Sequence, residues 1–246
     1  MHARRHVLAH VVRHRSEGDQ IVENPIQAAL HRVCLDVAEE LVLLGATITV
    51  MASEGAEASV AHSSEDARRV AGLAFASGEG PSADSFTSGR PVLVPDLAAS
   101  DGRWVGFTPA ALQAGVSGVY AFPLGLGAAP LGVLTCYCTA GASLTAPQLQ
   151  RCLLAADTAT SLLLTPGRRV ASATDPVHAD PDAQASLHIR TEVYQAQGML
   201  TVALGISLRD AMARLRAIAY TEDIDLNDLA ADLVAGRRDF PEQDIE

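Results

Sequence analysis

Two groups of residues carry side chains at spacings that could perform metal or redox chemistry, and the first is a run of histidines. His2, His6, His10 and His14 recur every four residues, which on a helix would place them in one stripe where His pairs can bind a metal ion. No carboxylate or cysteine ligand accompanies this stripe. We therefore interpret residues 1–23 as an N-terminal arm and expect no metal.

The four cysteines form the second group. Cys136 and Cys138 lie two apart in a β-rich run, so both should face the same side of a strand, where they could act as a redox or haem-adjacent sensor. Small buried hydrophobic residues are the simpler interpretation. Cys34 and Cys152 add no CxxC or paired-ligand spacing. Because no Ser-His-Asp pattern, phosphate loop or carboxylate pair is evident either, we do not expect an enzyme.

All the positive charge of the chain comes from arginine. The 18 basic side chains face 29 Asp and Glu, which gives a formal net charge of -11. Such acidity excludes bulk binding to nucleic acid or to a membrane surface, because no general basic field attracts phosphates. The absence of lysine also excludes any lysine-based mechanism. A nucleic-acid role must therefore depend on a local site.

Composition places the chain among folded proteins of a reducing compartment. Its 246 residues suggest one large or two ordinary domains, and an apolar content of 48% is enough for a core. We find no secretory signal and no run of the roughly 18 apolar residues that a membrane span requires. Together with the cysteine pattern, this predicts a cytoplasmic protein without a membrane partner.

Residues 24–165 are predicted to form an α+β domain. Asn24 and Pro25 form a helix start, and apolar residues follow at steps of three and four to Leu41. A half-buried strand begins at Gly45. Further helices are predicted over 65–77, around Phe86, over 108–115 and from Thr145 to about Leu164. A short strand is predicted in RPVLVPDL, and a hairpin is formed by VSGVYAFPLGL with PLGVLTCYCTAG. These elements indicate an antiparallel sheet flanked by helices.

The rest of the chain is predicted to be a linker, an all-α domain and a tail. Residues 166–185 contain three prolines and little apolar periodicity, typical of a linker. Residues 186–240 predict three short helices, and 241–246 a tail. The first helix carries a narrow apolar seam that could pack against another helix or a second subunit, formed by Ile189, Val193, Ala196, Leu200 and Ala203.

The predicted C-terminal helices match the frame of a known family. The stretch RTEVYQAQGML, which begins at Arg190, resembles the ANTAR domain of bacterial antitermination regulators. That family typically reads Arg, two residues, an aliphatic residue, one residue, Gln-Ala-Lys-Gly, an aliphatic residue and Leu. The matching positions are Arg190, Val193, Gln195, Ala196, Gly198, Met199, Leu200, Ala211, Leu215, Arg216, Ala219, Leu226 and Ala230.

Residues 24–165 resemble a GAF domain. The resemblance is carried by GEGPSADSFTSGRPVLVPDL and by the hairpin VYAFPLGLGAAPLGVLTCY. A GAF domain followed by an ANTAR domain is a pairing known from actinobacterial regulators. The resemblance implies a dimeric regulator, in which the GAF domain senses a signal and the ANTAR helices bind paired RNA hairpins to prevent termination of transcription.

The ANTAR resemblance also implies RNA-binding residues. Such recognition uses arginine contacts to phosphates and loop bases stacked on exposed side chains. Arg190 on the first helix, and Arg209 and Arg216 on one face of the second, are the candidate phosphate contacts. Tyr220 could stack on a base, and Gln197 occupies the position of the family's lysine.

The sequence departs from the ANTAR pattern in ways that favour an alternative. Gln197 removes a charge, and Met212 replaces the usual Phe. Between the second and third helices stand Glu222, Asp223 and Asp225, whose carboxylates would oppose phosphate binding. The alternative function is a sensory dimerisation module that acts through protein contacts, with little or no RNA binding.

GAF domains bind small molecules between the sheet and its covering helices and loops. The aromatic residues that could border such a pocket are Phe86, Trp104, Phe107 and Phe122. Without lysine, the Asn-Lys-Phe-Asp-Glu set of cyclic-nucleotide GAF domains cannot be complete. Some GAF proteins are methionine sulfoxide reductases, but residues 35–135 contain no cysteine. The sequence does not identify a cofactor.

Overall fold

A five-stranded antiparallel sheet forms the centre of the N-terminal domain. The computed structural model describes residues 25–52, 56–100, 102–127, 129–165 and 181–239, with the backbone alone over 181–190. The strand order is β2-β1-β5-β4-β3. The strands are β1 (Gly45–Met51), β2 (Glu57–His62), β3 (Val92–Val94), β4 (Gly118–Leu126) and β5 (Ala129–Cys138).

Two long helices cover one face of this sheet. They are α1 (Pro25–Leu41) and α5 (Ala146–Leu163), the first and last helices of the domain. The N–H of Thr145 donates to Oε1 of Gln148 at 2.9 Å, which satisfies a backbone group at the start of α5. Arg151 on α5 donates to both carboxylate oxygens of Glu40 on α1. The core beneath contains Leu30, Val37, Ile48, Phe122, Leu134 and three of the cysteines.

Three shorter helices lie on the opposite face. They are α2 (Glu65–Ser77), α3 (Pro81–Ser88) and α4 (Phe107–Gln113). Oγ of Ser64 accepts the N–H of Ala67 at 3.1 Å, which caps the start of α2. Gly78 ends α2 in the left-handed conformation, with a φ of +70°. The core on this side includes Val70, Leu97, Trp104, Phe107, Val119 and Tyr137.

The C-terminal helices pack around a core of their own. They are α6 (Pro181–Leu204), α7 (Leu208–Thr221) and α8 (Leu226–Val234). Ser207 and Asp225 cap α7 and α8 by accepting the N–H groups of Asp210 and Asn227. Val193, Ala196 and Leu200 of the predicted seam pack against the other two helices of the same chain. Ala203 is exposed, and the side chain of Ile189 lies outside the described residues. Phe75 from α2 also belongs to the core of the three helices. Other members of this core are Val193, Ala196, Leu200, Ala211, Met212, Leu215, Leu226, Leu229 and Leu233.

The predicted α+β fold with an antiparallel sheet flanked by helices is confirmed. Strand β2 was not predicted, and α6 begins at Pro181, inside the stretch interpreted as a linker. The histidine stripe, the predicted arm and most of that linker and the tail lie outside the described residues. Within the described part of the chain, no helix is long and apolar enough to cross a membrane.

Candidate functional site

The four aromatic residues predicted to border one pocket are divided between the two faces of the sheet. Phe122 is buried in the core beneath α1 and α5, because alternate residues of β4 point to opposite faces. Trp104 and Phe107 are buried on the other side, with α2 and α4. Phe86 on α3 is half-buried. The structure therefore does not bring Phe122 together with Trp104 and Phe107.

The loop before α4 is held by two charged side chains. Trp104 has a φ of +56°, and the guanidinium of Arg103 lies 4.3 Å from the centroid of its ring. Arg103 also donates to Oδ2 of Asp84 at 2.6 Å. Oε1 of Glu79 accepts the N–H groups of Gly106 and Phe107 at 2.6 and 3.2 Å. Glu79, in the turn between α2 and α3, thus caps the start of α4, whose own N-cap residue Gly106 has no side chain to do so.

The cysteines share the core between the sheet and α1 and α5. Cys136 and Cys138 face the same side of β5, as predicted; Cys136 is buried and Cys138 is partly buried. Burial raises the pKa of the Cys34 thiol above its ordinary value and raises the pKa of Cys138 to about 11. The raised pKa keeps the thiols of Cys34 and Cys138 protonated, and protonated thiols are poor nucleophiles. The hydrogen bond between Cys136 and Cys152 raises the pKa of Cys136 and lowers the pKa of Cys152. This environment suits small hydrophobic packing residues.

The residues predicted to contact RNA have different environments on the helical domain. Gln197 is only 5% exposed, and its side-chain amide donates to the backbone oxygen of Leu208 at 2.7 Å. Arg209 is exposed, and Tyr220 is 73% exposed. The side chain of Arg190 lies outside the described residues. Gln197 therefore joins α6 to the start of α7 and does not lie at the surface.

The fifth candidate, Arg216, contacts the N-terminal domain. Its Nε donates to the backbone oxygen of Phe75 at 3.0 Å, and its guanidinium lies 5.4 Å from the centroid of the Phe75 ring. A Cβ added to Gly78 would stand 2.7 Å from Nη1 of Arg216. The guanidinium is therefore seated against the C-terminal end of α2, in space that a residue with a side chain would fill.

A second contact between the two domains involves Tyr194 on α6. Its hydroxyl accepts the N–H of Glu57 at 2.7 Å and donates to the Glu57 backbone oxygen at 2.6 Å. Its ring makes an edge contact with Phe75, with centroids 6.1 Å apart. Glu57 begins β2, an edge strand whose outer backbone groups need partners. Tyr194 therefore provides a hydrogen-bond partner for both backbone groups of Glu57 at this edge of the sheet.

An open cleft of about 1190 Å³ lies beside these contacts. It is bounded by the end of α2, the start of α4, and the end of α7 with the turn that follows. Glu79, Asp223 and Asp225 line it together with Arg216 and Tyr220. The cleft thus combines a seated guanidinium and an exposed aromatic ring with three carboxylates.

The acidic turn after α7 is less negative than its sequence suggests. Both carboxylate oxygens of Glu222 accept hydrogen bonds from Arg238, and these bonds hold the pKa of Glu222 below its ordinary value. Asp225 is engaged in capping α8. Among Glu222, Asp223 and Asp225, the carboxylates that the sequence predicted to oppose phosphate, Glu222 therefore has a cationic partner within the chain.

Sequence reasoning did not identify Phe75, Gly78 or Tyr194 as part of a site. Gly78 was visible as a helix-ending glycine, and Tyr194 as a polar-tipped aromatic beside the apolar seam of α6. Nothing in either pattern indicates the partner. Arg216 and Phe75 are 141 residues apart in the chain, a separation that periodicity and motif spacing do not bridge.

The structure therefore consists of an α+β domain and a three-helix unit, which contact each other through Arg216 and Tyr194. A family model described as GAF domain matches residues 26–163, more than half of the chain. The chain belongs to the GAF domain family, which gives it a signal-sensing, regulatory role. The GAF resemblance found in the sequence is thereby confirmed, while the ANTAR resemblance stays a prediction.

Solved structures similar to this chain cover the same domain. One is the GAF domain region of a protein from Geobacter sulfurreducens PCA, at 19% identity and a TM-score of 0.48, covering 57% of this chain and 95% of that one. Another is the GAF domain of a phosphoenolpyruvate-protein phosphotransferase from Coxiella burnetii. Its sequence identity is 15% and its TM-score 0.45, and the match covers 56% of this chain and 82% of that one.

A third similar structure is the type II free methionine-R-sulfoxide reductase from Thermoplasma acidophilum. Its identity is 13% and its TM-score 0.44, and the match covers 56% of this chain and 92% of that one. No curated protein matches the sequence.

Proposed function

We propose that this protein is a regulator rather than an enzyme, in which the GAF domain senses a small molecule and the C-terminal helices bind RNA stem-loops to prevent termination. The observation that carries the proposal is the core of the helical unit. Most of the apolar residues that match the ANTAR frame are buried together there, and only Met199 among them is partly exposed. The buried ones are Val193, Ala196, Leu200, Ala211, Leu215, Ala219, Leu226 and Ala230.

The surface of α7 retains chemistry suited to RNA. Arg209 is exposed and can form charge-assisted hydrogen bonds to a phosphate. Tyr220 presents a largely exposed ring on which an unpaired base can stack. We expect the protein to act as a homodimer, so that two such surfaces meet two adjacent stem-loops.

A titration of the full chain against a labelled RNA with two adjacent stem-loops tests this function. We expect Arg209→Ala to weaken binding and to lower the slope of log affinity against log salt by about 1. Tyr220→Ala should weaken binding by about tenfold through lost stacking, with little change in the salt slope. Fluorescence anisotropy at several salt concentrations gives both quantities.

The matched control is Arg69→Ala, which removes the same charge from an exposed position of α2. Its affinity for the RNA should be that of the wild type. Unchanged binding in Arg209→Ala and Tyr220→Ala would contradict the proposed surface. Absence of stem-loop binding by the full chain and by the Tyr194→Phe variant described below would favour the protein-contact alternative, which the buried Gln197 and the acidic cleft also favour.

A further inference from the structure

We propose that the C-terminal end of α2 is an internal ligand for Arg216, so that the GAF domain holds the helical unit in a closed state that withholds this arginine from RNA. The inference rests on the proposed function for the identity of the competing ligand. A change in the sensor that displaces the end of α2 would release Arg216. Signal sensing and RNA binding are thereby coupled through one side chain.

The end of α2 has the features that bind a cation. The last carbonyl groups of a helix lack partners within the helix and carry the negative end of its dipole. The Phe75 oxygen, in the last turn of α2, accepts Nε of Arg216 at 3.0 Å. The Phe75 ring adds an aromatic face near the guanidinium, and Gly78 leaves the space that the guanidinium fills.

The contact with α2 occupies part of the hydrogen-bonding fork that Arg216 would offer to a phosphate. The N–H groups of a guanidinium form a planar fork, and in Arg216 both Nε and the Nη1 side lie against α2. Glu79, Asp223 and Asp225 line the cleft beside it, and their charges would repel an approaching phosphate. In the closed state, Arg209 is therefore exposed while Arg216, seven residues further along α7, is withheld.

Tyr194 provides a way to weaken the closed state without altering the RNA surface. Its hydroxyl makes two hydrogen bonds to Glu57 across the domain boundary, and Tyr194 is not among the predicted RNA contacts. Tyr194→Phe removes both bonds and keeps the ring that packs on Phe75. Tyr120→Phe is the matched control, because it removes a hydroxyl that donates to the Ala142 oxygen inside the GAF domain.

The first test is the RNA titration on full-length variants with the two-stem-loop RNA. Two lost hydrogen bonds should favour the open state enough to tighten binding by about three- to tenfold in Tyr194→Phe. Tyr120→Phe should bind as the wild type does. Adding Arg216→Ala to Tyr194→Phe should abolish the gain, because the released group is then absent.

The second test needs no RNA. Phenylglyoxal modifies accessible guanidinium groups, and peptide mass spectrometry measures the rate at Arg216, with the exposed Arg69 as internal reference. We expect Tyr194→Phe to raise the Arg216 rate about three- to tenfold relative to Arg69, in line with the weakened closed state. Tyr120→Phe should leave it unchanged.

The two measurements separate the inference from the function on which it rests. An unchanged Arg216 rate in Tyr194→Phe overturns the closed state, whatever the RNA titration gives. A raised rate with RNA bound equally well by wild type and variant overturns the claim that the closed state withholds Arg216 from RNA. A raised rate with no RNA binding by any variant supports the closed state and overturns RNA as its competitor.

Discussion

Gln197 lies on the face of α6 that is buried in the core of the C-terminal helices. Val193, Ala196 and Leu200 lie four, one and three residues away, so the buried stripe on α6 has the width of a core-facing helix. The ANTAR frame placed a charged, RNA-facing residue at this position. In this chain an uncharged amide occupies the position and donates to the Leu208 oxygen. A glutamine in place of the family's lysine therefore allows this position to be buried.

Replacing Gln197 by alanine should destabilise the helical unit. The change deletes the hydrogen bond that the buried Gln197 amide donates to the Leu208 oxygen, which costs about 0.5–1.5 kcal/mol. Urea unfolding followed by circular dichroism measures the difference in the free energy of unfolding.

The control is Gln195→Ala, two residues away on the exposed side of the same helix. It should change the free energy of unfolding by less than about 0.5 kcal/mol. Equal effects of the two alanine substitutions would show that Gln197 has no structural role, and would return it to the candidate RNA surface.

Among the elements, the β1–β5 pair is the contact least tolerant of a side chain. Gly132 on β5 pairs with Val50 on β1, and a Cβ at Gly132 would overlap the Thr49 carbonyl oxygen. A backbone atom cannot rotate away as a side chain can. The glycine is therefore required by the close approach of two strands, although its φ is not in the left-handed region.

Gly132→Ala should thus destabilise the sheet by about 1–3 kcal/mol or more, as overpacking does. Gly72→Ala is the matched control, because nothing lies within 4 Å of a Cβ at this position in α2. Alanine should stabilise this helix by about 0.5–1 kcal/mol. Thermal unfolding of both variants checks the opposite signs; a loss of similar size in both would contradict the argument from strand approach.

The sequence predicted the elements whose periodicity is strong. Helix α1, the β4–β5 hairpin and α5 follow from apolar spacing and from the Asn24-Pro25 and Thr145 start signals. Strand β2 was missed because it is a short edge strand of mostly half-buried residues, which leaves little alternation. The candidate site was only half predictable: Arg216 follows from spacing on α7, but its partner on α2 depends on tertiary packing.

At the scale of the whole molecule, Phe75 belongs to the core of a domain other than its own. It lies on α2 of the GAF domain, yet it is 4% exposed and packed into the core of the C-terminal helices. Ala76 adds a partly buried contact to the same core. The helical unit therefore buries part of its apolar surface against the sensor, which a unit of three short helices needs for stability.

Phe75→Ala should accordingly destabilise helix α8, which is far from Phe75 in the sequence. Loss of a buried phenylalanine costs about 3–5 kcal/mol, and part of that loss should appear as faster amide hydrogen exchange in α8. Phe86→Ala is the control, because Phe86 is half-buried on α3 of the same domain and outside the helical core. Faster exchange in α8 for Phe75→Ala alone would establish that sensor and helices share a core. If α8 exchanges alike in both variants and in the wild type, the helices are stable without the sensor and the closed state contributes nothing to their folding.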